Sequence, residues 1–127
     1  MKTILVDAWK TFILEEGGIF QKMFDLLEKY PNKKIILSNA NDQEIEEYGL
    51  NKMPYEVFTL KHNPDKTDSK YFQIMLDSFG FNKNNVVYIE HDGDAVKSAQ
   101  SVGIISYYYD SYEKDLDELK DFLDNNL

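Results

Sequence analysis

The chain is 127 residues long, which is enough for one compact domain and too short for two. It has no cysteine, and all 14 of its basic residues are lysine, so disulfides, thiolate catalysis, cysteine-bound zinc and an arginine clamp for an anion are excluded. The net charge of −9 argues against a nucleic-acid partner, and the absence of any run of about 18–20 apolar residues argues against a membrane partner, so we expect a soluble, cytoplasmic protein.

Most of the negative charge lies at one end of the chain. Residues 110–127 contain seven acidic residues and two lysines, in a pattern that predicts a solvated terminal helix. The charge of −9 therefore describes this helix more than any binding site.

Short apolar runs alternate with helical patterns along the rest of the chain. The apolar runs predict five buried strands, at residues 3–6, 34–37, 56–60, 86–89 and 104–108. The segments between them carry mainly the spacing of amphipathic helices, at residues 19–30, 41–48, 67–79 and 93–102. This alternation predicts an α/β fold: a single Rossmann-like three-layer domain over residues 1–127, with a parallel sheet and helices on both faces.

Polar residues stand where these strands end. Because parallel strands place functional groups beyond their carboxyl ends, we expect these residues to lie at one edge of the sheet. A carboxylate such as Asp7 can act as a nucleophile or as a metal ligand. Ser38 can hydrogen-bond an anion, and Lys66 can neutralise the charge collected around Asp7. Glu90 and Asp92 can hold a hard divalent cation.

The order and context of these residues resemble the haloacid dehalogenase (HAD) superfamily of aspartate-nucleophile hydrolases. The resemblance runs from about Thr3 to Tyr107. It is carried by four segments: ILVDAWKTF, KKIILSNAN, KTDSKYFQIMLDSFGF and VVYIEHDGDAVKSAQSVGI. It implies a five-stranded parallel sheet in the order 3-2-1-4-5. It also implies that no cap domain is present, because one helix alone separates the first two strands.

The resemblance also implies a role for each matched residue. The catalytic residues would be Asp7 as nucleophile, with Lys66 and Ser38. The substrate would be bound by Ser38, Asn39, Lys66, Trp9 and Thr11. A magnesium ion, the implied cofactor, would be held by Asp7, the backbone carbonyl of Trp9, Glu90 and Asp92.

Three positions depart from the family pattern. Trp9 stands where family phosphatases carry their general acid and base, a group typically worth about 10²–10⁴-fold in rate. His91 replaces the aspartate that usually binds magnesium, and Ala95 stands where a second acid often occurs. A dehalogenase is disfavoured as well, because those members use an inserted cap and an arginine.

Two main hypotheses remain open at this point. The first is a small capless phosphohydrolase that uses Asp7 and magnesium on a phosphorylated small molecule or macromolecule. The second is a pseudo-enzyme that binds a ligand, a protein partner or another copy of itself.

Two other classes fit less well. A PIN-type nuclease would use acidic residues such as Asp94 and Asp110, but that fold expects a helix where VVYI predicts a strand. A receiver domain would need an aspartate closing its third strand, and here that strand ends in Phe58, Thr59 and Leu60.

Overall fold

The computed structural model describes residues 1–127. Five strands are present: β1 (Thr3–Asp7), β2 (Lys34–Ser38), β3 (Glu56–Thr59), β4 (Val86–Glu90) and β5 (Ile105–Tyr108). Five α-helices accompany them: α1 (Gln21–Leu27), α2 (Asp42–Glu47), α3 (Lys70–Phe79), α4 (Gly93–Ser101) and α5 (Leu116–Asn126). Short 3₁₀ turns at Leu50–Lys52 and Lys83–Asn85 complete the secondary structure. All five strands were predicted, within one or two residues at each end.

The strands form one parallel sheet in the order β3-β2-β1-β4-β5, which confirms the predicted order. All residues of β1, β2 and β4 are buried, as expected for continuous apolar runs covered on both faces. The order also excludes the receiver-type sheet, in which the first strand lies between the second and third. The first strand here lies between β2 and β4.

Two apolar cores cover the two faces of the sheet. Successive side chains of a strand point to opposite faces, so Ile4 and Val6 enter one core and Leu5 enters the other. The first core has 16 buried residues and includes side chains from α1 and α5. The second has 10 and includes side chains from α3 and α4. The three-layer architecture is therefore confirmed.

Two helices begin later than the sequence predicts. The helix expected from Thr67 begins at Lys70. The residues before it form turns, in which the Asp68 carbonyl accepts a hydrogen bond from the Tyr71 amide. The acidic terminal helix begins at Leu116, where Asp115 caps its first turn. The residues from 110 onward first make a separate turn around the Asp110 carboxylate.

Strands β1, β2 and β4 deliver polar residues to one edge of the sheet. The pairing of Asp7 with Leu37 and of Val6 with Ile89 aligns the carboxyl ends of these strands to within about one residue. Their last residues, Asp7, Ser38 and Glu90, consequently lie side by side at the carboxyl edge. None of the α-helices combines the length and the apolar composition that a membrane-spanning helix needs.

Candidate functional site

A lysine lies between two buried carboxylates at this edge. Lys66, which precedes α3, donates from Nζ to Oδ1 of Asp7 and to Oε1 of Glu90, the latter at 3.0 Å. All three side chains are at least nine-tenths buried. Tyr88 lies two residues before Glu90 on the same face of β4, and its hydroxyl donates to the same Oε1 atom.

His91 lies on the other side of the two carboxylates. Its Nδ1 atom is 2.6 Å from Oδ2 of Asp7 and 3.3 Å from Oε2 of Glu90. Thr11 donates to the same Oδ2 atom of Asp7 at 2.9 Å. We call Asp7, Lys66, Glu90 and His91 the ion cluster. It joins the ends of β1 and β4 to the start of α3.

The charges of the ion cluster stabilise one another. Burial opposes the charged form of Asp7, but Lys66 and then His91 outweigh it and hold the Asp7 pKa well below its usual range. Burial likewise opposes the charge of Lys66, and Asp7 and Glu90 outweigh it and raise the Lys66 pKa. His91 loses hydration too, but its hydrogen bonds to the two carboxylates raise its pKa to about 9. Lys66 and His91 are therefore both cationic at neutral pH.

Every carboxylate oxygen of the ion cluster accepts a hydrogen bond from the protein. In Asp7, Oδ1 accepts from Lys66, and Oδ2 accepts from Thr11 and His91. In Glu90, Oε1 accepts from Lys66 and a tyrosine hydroxyl, while Oε2 accepts from two backbone amides at 3.1 Å. The two buried acids thus have no unsatisfied oxygen.

A cavity of about 270 Å³ opens above the ion cluster. All four cluster residues line it, so Asp7 is reached from solvent through this opening. The wall also includes predicted residues Trp9, Ser38, Asn39 and Asp92. Three further lining residues, Glu44, Tyr48 and His62, were not predicted.

Two aromatic rings stand at the mouth of the cavity. Trp9 is 39% exposed, and its ring is stacked on that of Tyr48 with centroids 6.4 Å apart. Trp9 also meets the His91 ring edge-on at 6.3 Å. The ammonium group of Lys10 lies 4.8 Å from the Trp9 ring centroid. The residue in the family's acid–base position therefore forms part of an aromatic entrance.

A second histidine lies between two acids on the rim of the cavity. His62 is 2.5 Å from Glu44 through Nε2 and 2.7 Å from Asp65 through Nδ1. These hydrogen bonds, to Glu44 first and then to Asp65, raise the pKa of His62. We call these three residues the rim clamp. It ties the segment after β3 to α2.

Three other predicted residues are engaged within the protein. The Ser38 hydroxyl accepts from the Ala40 amide at 3.0 Å, and the Asn39 side chain accepts from the Lys66 amide at 2.8 Å. Both residues line the cavity. Thr11 is 1% exposed and lies behind Asp7, outside the cavity lining. The cavity therefore brings together all the predicted substrate-binding residues except Thr11.

The remaining acidic residues near the strand ends lie apart from the ion cluster. Asp92 lines the cavity mouth, and its carboxylate accepts from the Asp94 amide as the cap of α4. Asp94 is exposed in the first turn of that helix, and Asp110 caps a turn after β5. The strand β4 directly precedes the acidic turn, as expected, so the acidic positions of a PIN-type nuclease are not assembled here.

The ion cluster does not suit magnesium. The side chains close enough to share a metal ion are Asp7, Glu90 and His91, whose ligand atoms all lie within 4.8 Å of one another. Magnesium prefers a near-octahedral set of oxygen ligands. One of these three residues offers a protonated nitrogen instead, and every oxygen of the other two already accepts hydrogen bonds.

Comparisons with known proteins identify the fold. No family model and no curated protein matches the sequence. A solved HAD family enzyme from Bacteroides thetaiotaomicron, an aspartate-to-alanine variant bound to magnesium and inorganic phosphate, matches with a TM-score of 0.69 at 14% identity, over 94% of this chain and 98% of that one. The wild-type form, also with magnesium and phosphate, matches with a TM-score of 0.62 at 20% identity, over 80% of this chain and 57% of that one.

A further match is to a core domain alone. The core domain of a candidate phosphoglycolate phosphatase from Streptococcus pneumoniae has a TM-score of 0.62 at 17% identity, over 97% of this chain and 95% of that one. Identities this low establish the fold and leave the activity open. The sheet order, the acidic residues at the ends of β1 and β4 and these structural matches agree: the chain has the fold of the haloacid dehalogenase superfamily.

Proposed function

We propose that this chain is a HAD-like domain that does not turn over phosphate esters and instead binds a ligand or a protein partner at the cavity above Asp7. The observation that carries the proposal is that both oxygens of the Asp7 carboxylate are held by protein donors. An aspartate nucleophile attacks phosphorus with a carboxylate oxygen. Each oxygen of Asp7 is already held by a charged donor, Lys66 or His91, which lowers its nucleophilicity.

Proton transfer to a leaving group is also unsupported at this site. Trp9 takes the position that the family resemblance assigns to the general acid and base, and an indole does not exchange a proton near neutral pH. His91 is a poor replacement, because its Nδ1 is engaged with Asp7 at 2.6 Å and the raised pKa of the ring makes its remaining N–H a weak acid near neutral pH. The loss of such a group typically lowers a rate by about 10²–10⁴-fold.

Stability explains the presence of Asp7, Lys66 and Glu90 in a site that does not hydrolyse. Removing one member of a buried, hydrogen-bonded charge network leaves an uncompensated charge, at a cost of about 3–5 kcal/mol. The three residues therefore have a structural role that does not depend on turnover.

The chemistry of the cavity favours an uncharged or cationic group. Its two cations on the floor, Lys66 and His91, are both engaged with carboxylates. On the wall, Glu44 is paired with His62, and Asp92 adds a negative charge. The position of the Lys10 ammonium group, 4.8 Å from the Trp9 ring centroid, shows that a cation can contact this ring. A lysine or arginine side chain of a partner protein fits this lining better than a phosphate does.

A second candidate function is phosphate ester hydrolysis with Asp7 as the nucleophile. It is favoured by one observation, namely that Asp7, Ser38 and Lys66 all line the same cavity. In that case Lys66 would neutralise the charge at the reacting group, and the substrate would have to displace the internal hydrogen bonds of Asp7.

Hydrolysis of p-nitrophenyl phosphate separates the two functions. We expect the wild-type protein to be no faster than Asp7→Asn, with or without millimolar magnesium. The double variant Trp9→Asp/His91→Asp, which restores both family positions, should gain magnesium-dependent turnover of at least about 10²-fold over background. Wild-type turnover that Asp7→Asn abolishes would overturn the binding-domain proposal.

Ligand binding is measurable through the one tryptophan of the chain. Because Trp9 lies at the cavity mouth, its fluorescence should respond to a bound group. We expect a saturable change with arginine amide, a weaker one with the neutral analogue citrulline amide and none with inorganic phosphate. Glu44→Gln is the matched variant and should weaken the arginine amide response. A saturable response to phosphate alone would favour the hydrolase.

A further inference from the structure

We infer that the imidazole of His91 takes the place of the divalent cation in this site, so that the ion cluster is assembled and held together without magnesium, whether or not the site turns over a substrate. Two features of the molecule support this: the position of the ring and the use of the carboxylate oxygens.

The ring nitrogen fills the gap between the two carboxylates. His91 Nδ1 lies 2.6 Å from an oxygen of Asp7 and 3.3 Å from an oxygen of Glu90. A magnesium ion binds its oxygen ligands at about 2.0–2.1 Å. An ion bound to the same two oxygens would therefore compete with the imidazole nitrogen that already contacts both of them.

The remaining oxygens are no more available. Oδ1 of Asp7 and Oε1 of Glu90 both point to the Lys66 ammonium group. The second Glu90 oxygen accepts the backbone amides of His91 and Asp92. These amides belong to the loop after β4, so metal binding to Glu90 would require this loop to be rebuilt.

Two of the three departures from the family pattern, Trp9 and His91, contact each other. Their rings pack in a T-shaped arrangement, with an angle of 82° between the planes. Thr11 Oγ1 lies 3.4 Å from His91 Nδ1, and Trp9 also stacks on Tyr48. The imidazole is thus held from several sides and keeps its place between the carboxylates.

Thermal unfolding with magnesium chloride or EDTA tests this inference. We expect the wild-type Tm to be the same in both. His91→Asp should have a lower Tm in EDTA and should gain about 3–6 °C when magnesium is present at tenfold its Kd. His91→Asn, which removes the imidazole without adding a charge, is the matched control and should show no such gain. A magnesium-dependent rise in the wild type that Asp7→Asn removes would overturn the inference, and so would a folded His91→Asp that does not respond to magnesium.

A second measurement covers the case in which His91→Asp fails to fold. Manganese(II), a paramagnetic substitute for magnesium, broadens the NMR signals of nuclei close to it. We expect the ring signals of His91 and Trp9 in the wild type to broaden no more than those of the exposed His62. Selective broadening at His91 would overturn the inference.

These outcomes separate the inference from the proposed function. Wild-type hydrolysis that needs no magnesium would overturn the binding-domain proposal and support the role of His91. An inactive wild type that binds magnesium would support the binding-domain proposal and overturn the role of His91.

Discussion

The ion cluster and the rim clamp use the same arrangement, a histidine between two carboxylates, in two different environments. The His91 side chain is 21% exposed and its carboxylate partners are 7% and 1% exposed. The His62 side chain is 42% exposed and its partners are 27% and 45% exposed. The two groups differ in access to water, and the ion cluster also contains Lys66, for which the rim clamp has no counterpart.

These differences determine what each group contributes. Exposed ion pairs are screened by water and salt and are worth about 0–1 kcal/mol each. In a buried network, the loss of one partner leaves a charge without hydration and costs several times more. We therefore expect the ion cluster to support the fold and the rim clamp to contribute little to it.

The largest effect is expected for Lys66→Met. The variant keeps the volume of the side chain but leaves Asp7 and Glu90 facing each other without the shared cation, so the free energy of unfolding should fall by about 3–5 kcal/mol. Urea denaturation measures this. The control is Lys61→Met, which removes an exposed ion pair to Asp42 and should cost no more than about 1 kcal/mol. Equal losses would show that burial is not the deciding factor.

A smaller loss is expected for His91→Gln. Asp7 keeps its bonds to Lys66 and Thr11, so the variant removes one charge-assisted hydrogen bond and should lower the free energy of unfolding by about 1.5–3 kcal/mol. The same urea experiment applies. If the variant is as stable as the wild type, the imidazole does not hold the two carboxylates together.

The contribution of His91 should also depend on pH. Its pKa is about 9 in the folded protein against 6.5 for the free side chain, so the folded state binds the proton more tightly. The resulting stability is fully present below about pH 6.5 and is lost as the pH rises through about 9. The difference in unfolding free energy between wild type and His91→Gln should therefore shrink from pH 6 to pH 9.5. A constant difference would contradict the assigned charge.

The smallest effect is expected for His62→Gln. The variant removes the rim clamp, but all three of its side chains are substantially exposed, so the free energy of unfolding should change by about 0–1 kcal/mol. Urea denaturation at low and high salt measures both the loss and its screening. A loss as large as that of His91→Gln would remove the contrast between the two histidines.

The sheet and the positions of Asp7, Ser38 and Glu90 could be predicted from the sequence. Each of these residues ends a run of apolar residues, and a parallel sheet brings such ends to one edge. Lys66 was predicted through its place in the family pattern, ahead of the helix that contains Phe72. Each of these positions follows from the order of strands and helices along the chain, which the local sequence pattern predicts well.

The hydrogen-bond partners of the site side chains could not be predicted in the same way. Asp92 fits the pattern of a metal ligand, but it directly precedes α4 and caps that helix. One partner of each histidine is distant in sequence, so the two pairings could not be predicted: Asp7 is 84 residues from His91, and Glu44 is 18 from His62. Such partners are fixed by loop geometry, which the sequence pattern does not encode.

The order of the strands along the chain has a consequence for synthesis. The central strand β1 is made first, but one of its two neighbours, β4, begins only at Val86. Until then one edge of β1 has no partner, and an unpaired apolar strand can pair with other chains. The same strand brings Glu90, with His91 directly after it. Closure of the ion cluster therefore waits for the same strand that covers the open edge of β1.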